Sequence, residues 1–266
     1  MHAFKYHHPS SLADAVALAG KLSEGKILAG GQSLVQAMKL RLASPTDIVD
    51  LGGIKELTGI KVEGSSVTIG AMTRHAEVEN SADVKKLIPA LARLAGGIGD
   101  RQVRHMGTIG GSLANSDPAA CYPAAVLGLG ATITTNKRKI AADDFFKGLF
   151  ETALAADELI TSVTFPSAKR AGYIKFKNPA SRFALVGVFV AETSGGVRVA
   201  VTGAASCVFR ATAIEKALSA KFEPDSVPAD TVKASDLNGD LHGSAEYRAH
   251  LITVMAKRAV AQALGK

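Results

Sequence analysis

The chain has 266 residues, 47% of them hydrophobic, which is ample for a buried core and for one large domain or two ordinary ones. Its 31 basic residues outnumber 24 acidic ones, yet they are spread along the chain, and the densest cluster, Lys137 to Lys139, has no interleaved aromatics, which argues against a nucleic-acid partner. No apolar run reaches bilayer length and Met1 to Pro9 is polar, so a cytoplasmic protein without a membrane span is expected; Cys121 and Cys207, far apart and outside any Cys-x-x-Cys spacing, cannot by themselves bind an iron–sulfur cluster or a structural zinc.

In chain order, Ser11 stands three residues before Asp14 and Leu12, Val16, Ala19 and Leu22 share one face, which predicts a capped helix. A short strand through Ile27 and Leu28 runs into Ala29-Gly30-Gly31-Gln32-Ser33. Beyond it Leu34, Ala37, Met38 and Leu42 resume a helical period, and Ser33 and Gln36 have the spacing of a reciprocal cap. The β-branched runs Ile48-Val49, Ile60-Lys61-Val62 and Val67-Thr68-Ile69 predict strands. Val84, Leu87, Ile88, Leu91 and Leu94 predict a helix over 84–95, broken or restarted at Pro89.

Gly96-Gly97-Ile98-Gly99 then leads through Arg101 and Arg104 into Gly107-Thr108-Ile109-Gly110-Gly111-Ser112, followed by Asn115, Asp117 and Pro118. Pro123 to Leu129 predicts a helix and Ala131 to Thr135 a strand. A composition change at 166–172 is the expected domain boundary. After it come strands at 173–177, 184–192 and 197–204, with Gly195-Gly196 turning the last pair, and a final helix over about 244–263, capped by Ser244, with Tyr247, Leu251, Val254, Met255 and Arg258 on one face. Both cysteines are expected to be reduced and buried.

Two segments carry chemistry. A glycine cluster leaving a strand can turn its N–H groups toward an anion, and a helix starting at once adds the donors and dipole of its first turn. Gly30 to Ser33 meets this description, as does Gly107 to Ser112, so the two could close on both sides of a pyrophosphate with help from the hydroxyls of Ser33, Thr108 and Ser112. Neither Gly-x-Gly-x-x-Gly nor Gly-x-x-x-x-Gly-Lys-Ser/Thr is present, which excludes the usual nicotinamide crossover and the phosphate loop. Asp143-Asp144 and Asp157-Glu158 read as solvated turns; His75 and His105 read as isolated polar residues in loops or at helix starts, either able to stand near a ligand, with the surface the commoner place; no catalytic residue and no metal ligand is expected.

The combination Ala29-Gly30-Gly31-Gln32-Ser33, Gly70-Ala71-Met72-Thr73 and Arg104-His105-Met106-Gly107-Thr108-Ile109-Gly110-Gly111-Ser112 resembles the FAD-binding medium subunit of molybdenum hydroxylases, the xanthine dehydrogenase and aerobic carbon monoxide dehydrogenase family. Ser181-Arg182-Phe183-Ala184-Leu185-Val186-Gly187-Val188 resembles the start of that family's C-terminal domain. The resemblance implies an α+β fold: a vanillyl-alcohol oxidase (PCMH)-type FAD-binding domain over 1–170, made of α+β subdomains at about 1–56 and 57–170, and a small C-terminal domain over 171–266 with an antiparallel sheet and helices. It also implies an oxidoreductase subunit that binds FAD, takes electrons from the [2Fe–2S] clusters of an iron–sulfur small subunit in a complex with a molybdenum-cofactor large subunit, and passes them to an external acceptor.

Carried over residue by residue, the FAD diphosphate falls to Leu28, Ala29, Gly30, Gly31, Gln32, Ser33 and Leu34 and to Gly107, Thr108, Ile109, Gly110, Gly111 and Ser112. Ala71 and Thr73 would lie beside the cofactor, Asn115 near the ribityl chain, Ile160 near the ring system and Tyr173 beside the isoalloxazine, with Lys175 in the same strand. The family commonly reads Asp-Pro-Ala-Ala-Asp where this chain has Asp117-Pro118-Ala119-Ala120-Cys121, so one carboxylate acceptor is missing and weaker FAD binding is expected unless Asp117 or a water substitutes. A self-sufficient flavin oxidoreductase of the same fold, and a non-catalytic module for another phosphate-bearing ligand, are the competing readings.

Overall fold

The computed structural model describes residues 1–229 and 231–266. The first elements are β1 (Lys5–His7), α1 (Leu12–Lys21), β2 (Gly25–Leu28), α2 (Leu34–Lys39) and β3 (Asp47–Asp50). The strands form a parallel sheet in the order β1-β3-β2, so β2 is an edge whose C-terminal end opens directly into the first glycine loop. Ser11 caps α1 through the Asp14 N–H as expected. Ser33 does not form the expected reciprocal cap. It has helical backbone angles and its side chain makes no cap bond, while Arg41 at φ 58° ends the helix before Leu42, which is left 79% exposed.

The second stretch runs β4 (Ile60–Glu63), β5 (Ser66–Gly70), α3 (His75–Asn80), α4 (Ala82–Leu87), α5 (Pro89–Gly96), α6 (Arg101–Met106), α7 (Ile109–Asn115), α8 (Tyr122–Leu129), β6 (Thr132–Thr135), β7 (Lys139–Ala141), α9 (Ala142–Phe145), β8 (Phe146–Gly148), β9 (Glu151–Thr152) and β10 (Ile160–Pro166). Its sheet is antiparallel, in the order β4-β5-β10-β6-β7. Pro89 starts a fresh helix, as its missing N–H requires. The Asp157-Glu158 pair is not a solvated turn throughout: Glu158 is buried, accepts from Thr135 Oγ1 at 2.7 Å and Arg138 Nε at 2.9 Å, and is held at a pKa of about 2, chiefly by the Arg138 hydrogen bond.

The last stretch contains β11 (Arg170–Lys177), β12 (Ala184–Thr193), β13 (Gly196–Thr202), β14 (Phe209–Arg210), α10 (Thr212–Ala220) and α11 (Ala245–Ala263). The strands make an antiparallel meander in chain order. One face of this sheet is covered by α11, while α8 packs against β12 and β13. Every residue of α8 is buried, and the core that contains it extends from Val67 to Val208, taking in Tyr173, Phe189 and Ala200.

The face of α11 differs from the expected one. Arg248, Leu251, Ile252, Met255, Ala256, Ala259 and Val260 are buried, whereas Tyr247 is 42% exposed and Arg258 is exposed. Arg248 can be interior because its guanidinium donates to the carbonyls of Leu185 and Gly203 at 2.8 Å each and to Asp240. Both cysteines are free; Cys121 is buried but Cys207 only partly.

Candidate cofactor-binding site

The two glycine loops, some 75 residues apart in sequence, meet. A β-carbon on Gly30 would overlap the Met106 carbonyl oxygen and come within 2.7 Å of the Gly107 Cα, so backbone lies directly on backbone there. A β-carbon on Gly111 would stand 3.2 Å from that of Ala29, a second contact between the same loops. Gly31, at φ 72°, turns the chain out of β2 and into α2 in a conformation that glycine adopts without steric penalty.

The loops differ in what they offer a ligand. The backbone N–H groups of Gly30, Gly31, Gln32 and Ser33 donate to no group within the chain among the described residues, although each of these residues is at least partly solvent-accessible. Four adjacent unpartnered donors are a ready anion cradle. In the second loop most donors are already used. Ile109 N–H donates to Thr73 O, Gly110 N–H to Ala71 O at 2.8 Å, Gly111 N–H to Thr108 Oγ1 and Ser112 N–H to Thr108 O. This loop is a braced wall behind the first, able to contribute the Thr108 and Ser112 hydroxyls rather than a row of amides.

The bracing places Ala71 and Thr73 at the same locus. Thr73 Oγ1 ties to both N–H and C=O of Gly59, and Ala71 N–H donates to Thr161 O, the residue after Ile160. Ile160 is therefore brought beside this turn but is only 5% exposed. Leu28 ends β2 and Leu34 opens α2, flanking the cradle. Asn115, the last residue of α7, is half-buried; Asp117 spends Oδ1 on the Ala119 N–H at 2.8 Å.

A second group forms at the start of α8. Lys175 Nζ donates to Cys121 Sγ at 3.2 Å and to Arg182 O at 2.9 Å. Tyr173 is 7% exposed, its hydroxyl has no hydrogen-bond partner, and burial, with the neighbouring Cys121 thiol, holds its pKa well above that of a free phenol. An unpartnered buried hydroxyl beside a thiol suits a polar ligand edge. The four free amides fit a ligand that carries a diphosphate.

His75 packs behind the second loop and, against the commoner surface reading, is buried. Its ring is 5% exposed, 5.2 Å from the Tyr122 ring centroid, and its Nδ1 and the Tyr122 hydroxyl are both buried without partners. Burial first, and the Arg104 charge second, lower its pKa to about 4. The signal that could have found it is the spacing of His75 and Val78, both on the buried side of α3. Because an unfolded histidine titrates near 6.5, the unfolded chain binds the extra proton between these values. Stability should therefore fall as pH drops from about 6.5 to about 4, by about 3 kcal/mol for this group. Urea unfolding across that range should show a shallower slope for His75→Phe; equal slopes would contradict a neutral buried His75.

A strand-edge glycine cradle backed by a second glycine loop, on an α+β scaffold, is an anion-binding arrangement of the kind that takes a phosphate-bearing ligand. Residues 2–168 match the family model described as the FAD binding domain in molybdopterin dehydrogenase, and the chain belongs to this family. It is 36% identical to the nicotine 6-hydroxylase medium subunit of Paenarthrobacter nicotinovorans over 98% of this chain and 97% of that one. It is also 36% identical to the carbon monoxide dehydrogenase medium chain of Hydrogenophaga pseudoflava, over 97% and 96% of the two chains. Among solved structures, carbon monoxide dehydrogenase from Hydrogenophaga pseudoflava lacking the Mo-pyranopterin moiety superposes with a TM-score of 0.92 at 38% identity, covering 99% of this chain and 98% of that one. Quinoline 2-oxidoreductase from Pseudomonas putida 86 superposes at 0.89 with 26% identity and the same coverage.

Proposed function

We propose that the chain is the FAD-carrying medium subunit of a molybdenum-containing hydroxylase or dehydrogenase, working in the cytoplasm beside an iron–sulfur small subunit and a molybdenum-cofactor large subunit. The observation that carries this reading is the row of four unpartnered amides, Gly30 to Ser33, seated against Gly107. Similarity along nearly the whole chain to proteins named as medium subunits supports it. When bound, FAD supplies reversible one- and two-electron redox chemistry. The protein's part is to hold and surround it.

In this reading the Gly30–Ser33 amides and the Ser33, Thr108 and Ser112 hydroxyls hold the diphosphate, and Ala71 and Thr73 line its flank. Asn115 serves the ribityl chain, and Ile160 and Tyr173 pack at the ring system with Lys175 nearby. Residues 1–170 form the FAD-binding part, with subdomains at about 1–56 and 57–170, and 171–266 the C-terminal part. The subunit accepts electrons from the partner's [2Fe–2S] clusters and delivers them to an external acceptor, so it needs no acid, base or nucleophile of its own.

Absorbance titration of the purified chain with FAD, with cofactor identification after denaturation, tests the first half: one FAD per chain is expected, and a folded chain that binds none at tens of micromolar would overturn it. Co-purification of iron–sulfur and molybdenum subunits tests the second half; turnover of an organic substrate by the isolated chain would overturn that. A further prediction concerns Cys121. An aspartate there would meet the Lys175 ammonium and restore a charged acceptor, so Cys121→Asp should tighten FAD binding by about tenfold, in the range of one charged hydrogen bond. An unchanged or weaker midpoint would remove Cys121 from the site.

A further inference from the structure

The first glycine loop has free donors but little that holds it in place from its own side: α2 is a helix of six residues without a side-chain cap. Its support comes from behind, through a contiguous stack. Gly30 rests on the Met106 carbonyl and the Gly107 Cα. Gly107 in turn rests on His75: a β-carbon at Gly107 would stand 2.5 Å from His75 Nε2 and 2.9 Å from Cδ2, and the His75 N–H donates to Gly107 O at 3.0 Å. The Tyr122 ring lies 5.2 Å from the imidazole, centroid to centroid, and Arg104, fixed by Glu79 at 2.7 Å and Ile98 O, holds α6 and so the approach to Gly107.

We propose that His75 is a positioning residue for the FAD diphosphate: its imidazole, packed against Gly107, sets the height of the Met106–Gly107 backbone and thereby the conformation in which Gly30 to Ser33 present their N–H groups. This rests on the diphosphate reading of the first loop. His75 touches no cofactor atom in this scheme; it acts through Gly107 and Gly30. The chain of contacts is only side chain on backbone and backbone on backbone, without a flexible link. A change in side-chain volume at either His75 or Gly107 must therefore be felt at the cradle, and the two changes must compensate.

The experiment is a double-mutant cycle on FAD affinity, with the wild type first. If the folded wild type binds no FAD, the diphosphate reading has failed, independently of His75. If it binds, His75→Ala and Gly107→Ala are each expected to weaken FAD at least tenfold, the first by withdrawing the prop and the second by pushing the wall outward. The pair His75→Ala/Gly107→Ala is expected to bind FAD better than Gly107→Ala alone, because the new methyl group occupies space the imidazole left. His75→Gln, which keeps a planar polar side chain, is expected to stay within threefold of the wild type in affinity while shifting the ³¹P NMR resonances of the bound diphosphate. Should either alanine variant fail to fold, His75→Ser with and without Gly107→Ser gives the same comparison. Losses that simply add in the double variant, or ³¹P resonances unmoved in His75→Gln, would overturn the assignment.

Discussion

Gly30→Val is expected to give a folded protein that no longer retains FAD, with affinity reduced at least 100-fold. The reason is spatial. Even the first side-chain carbon at this position overlaps the Met106 carbonyl oxygen, and no rotamer can relieve a clash made by Cβ itself. The two loops must separate, and the four amides from Gly30 to Ser33 lose their common focus. Charge-assisted hydrogen bonds to a diphosphate contribute roughly 1.5–3 kcal/mol each, so losing two accounts for about two to four orders of magnitude. Overpacking elsewhere costs about 1–3 kcal/mol, and the damaged segment is partly exposed, so the fold itself survives. Gly195→Ala is the matched control. A β-carbon there would meet nothing nearer than the Thr193 hydroxyl at 3.7 Å, and FAD binding should not change. Wild-type affinity in Gly30→Val, measured by flavin fluorescence, would dissolve the proposed junction.

Arg248→Met is the second large effect, and it falls on stability rather than on the cofactor. Arg248 is 4% exposed and its Nη1 donates to two backbone carbonyls, Leu185 O in β12 and Gly203 O just past the end of β13. Methionine fills much of the volume but leaves both carbonyls without that donor, and Asp240 without its cation. Stranding buried acceptors costs about 1–3 kcal/mol each, so a loss of about 3 kcal/mol is expected. For a chain of this size that corresponds to a melting point lower by roughly 6–12 °C in scanning calorimetry. A shift under about 2 °C would mean that the carbonyls find other donors. Arg248→Lys should recover only part of the loss, because one ammonium cannot reproduce the fork that reaches Leu185, Gly203 and Asp240 together.

Much of this was legible in the sequence where a local rule governs. Ser11 and Ser244 both cap the helices they were expected to cap and Pro89 restarts a helix, while the hairpin expected at Gly195-Gly196 turns one residue earlier, at Ser194-Gly195, with Gly196 already paired to Thr193. The two glycine loops were visible as motifs, and the order of motifs was enough to place the family. What could not be read was whatever depends on a distant neighbour. Thr68 and Thr164 alternate with buried Val67, Ile69, Val163 and Phe165, but β10 became evident only through its pairing with β5 and β6. Polarity also misled in a consistent direction. His75, Glu158 and Arg248 were all assigned to the surface or ignored, and all three are buried, because each is satisfied or sheltered by groups far away in the chain. The Ser33–Gln36 spacing failed for a different reason. Ser33 already has helical backbone angles, so its side chain is not in the extended geometry from which a cap reaches back.

The position of α8 has a consequence for how the protein can be cut and how it melts. This helix is apolar all round, with Tyr122, Ala125 and Val126 wholly inaccessible, and the strands β12 and β13 supply part of its cover through Phe189 and Ala200. Thr202 Oγ1 and the Gly203 N–H reach back to Pro118 O, and Arg198 clasps Leu127 O and Asp143. A chain stopped near Pro166 would turn one flank of α8 to water and free those carbonyls at the same time. The shortened protein would aggregate instead of standing as a smaller flavoprotein, and the intact one would lose its N-terminal and C-terminal structure in a single cooperative transition.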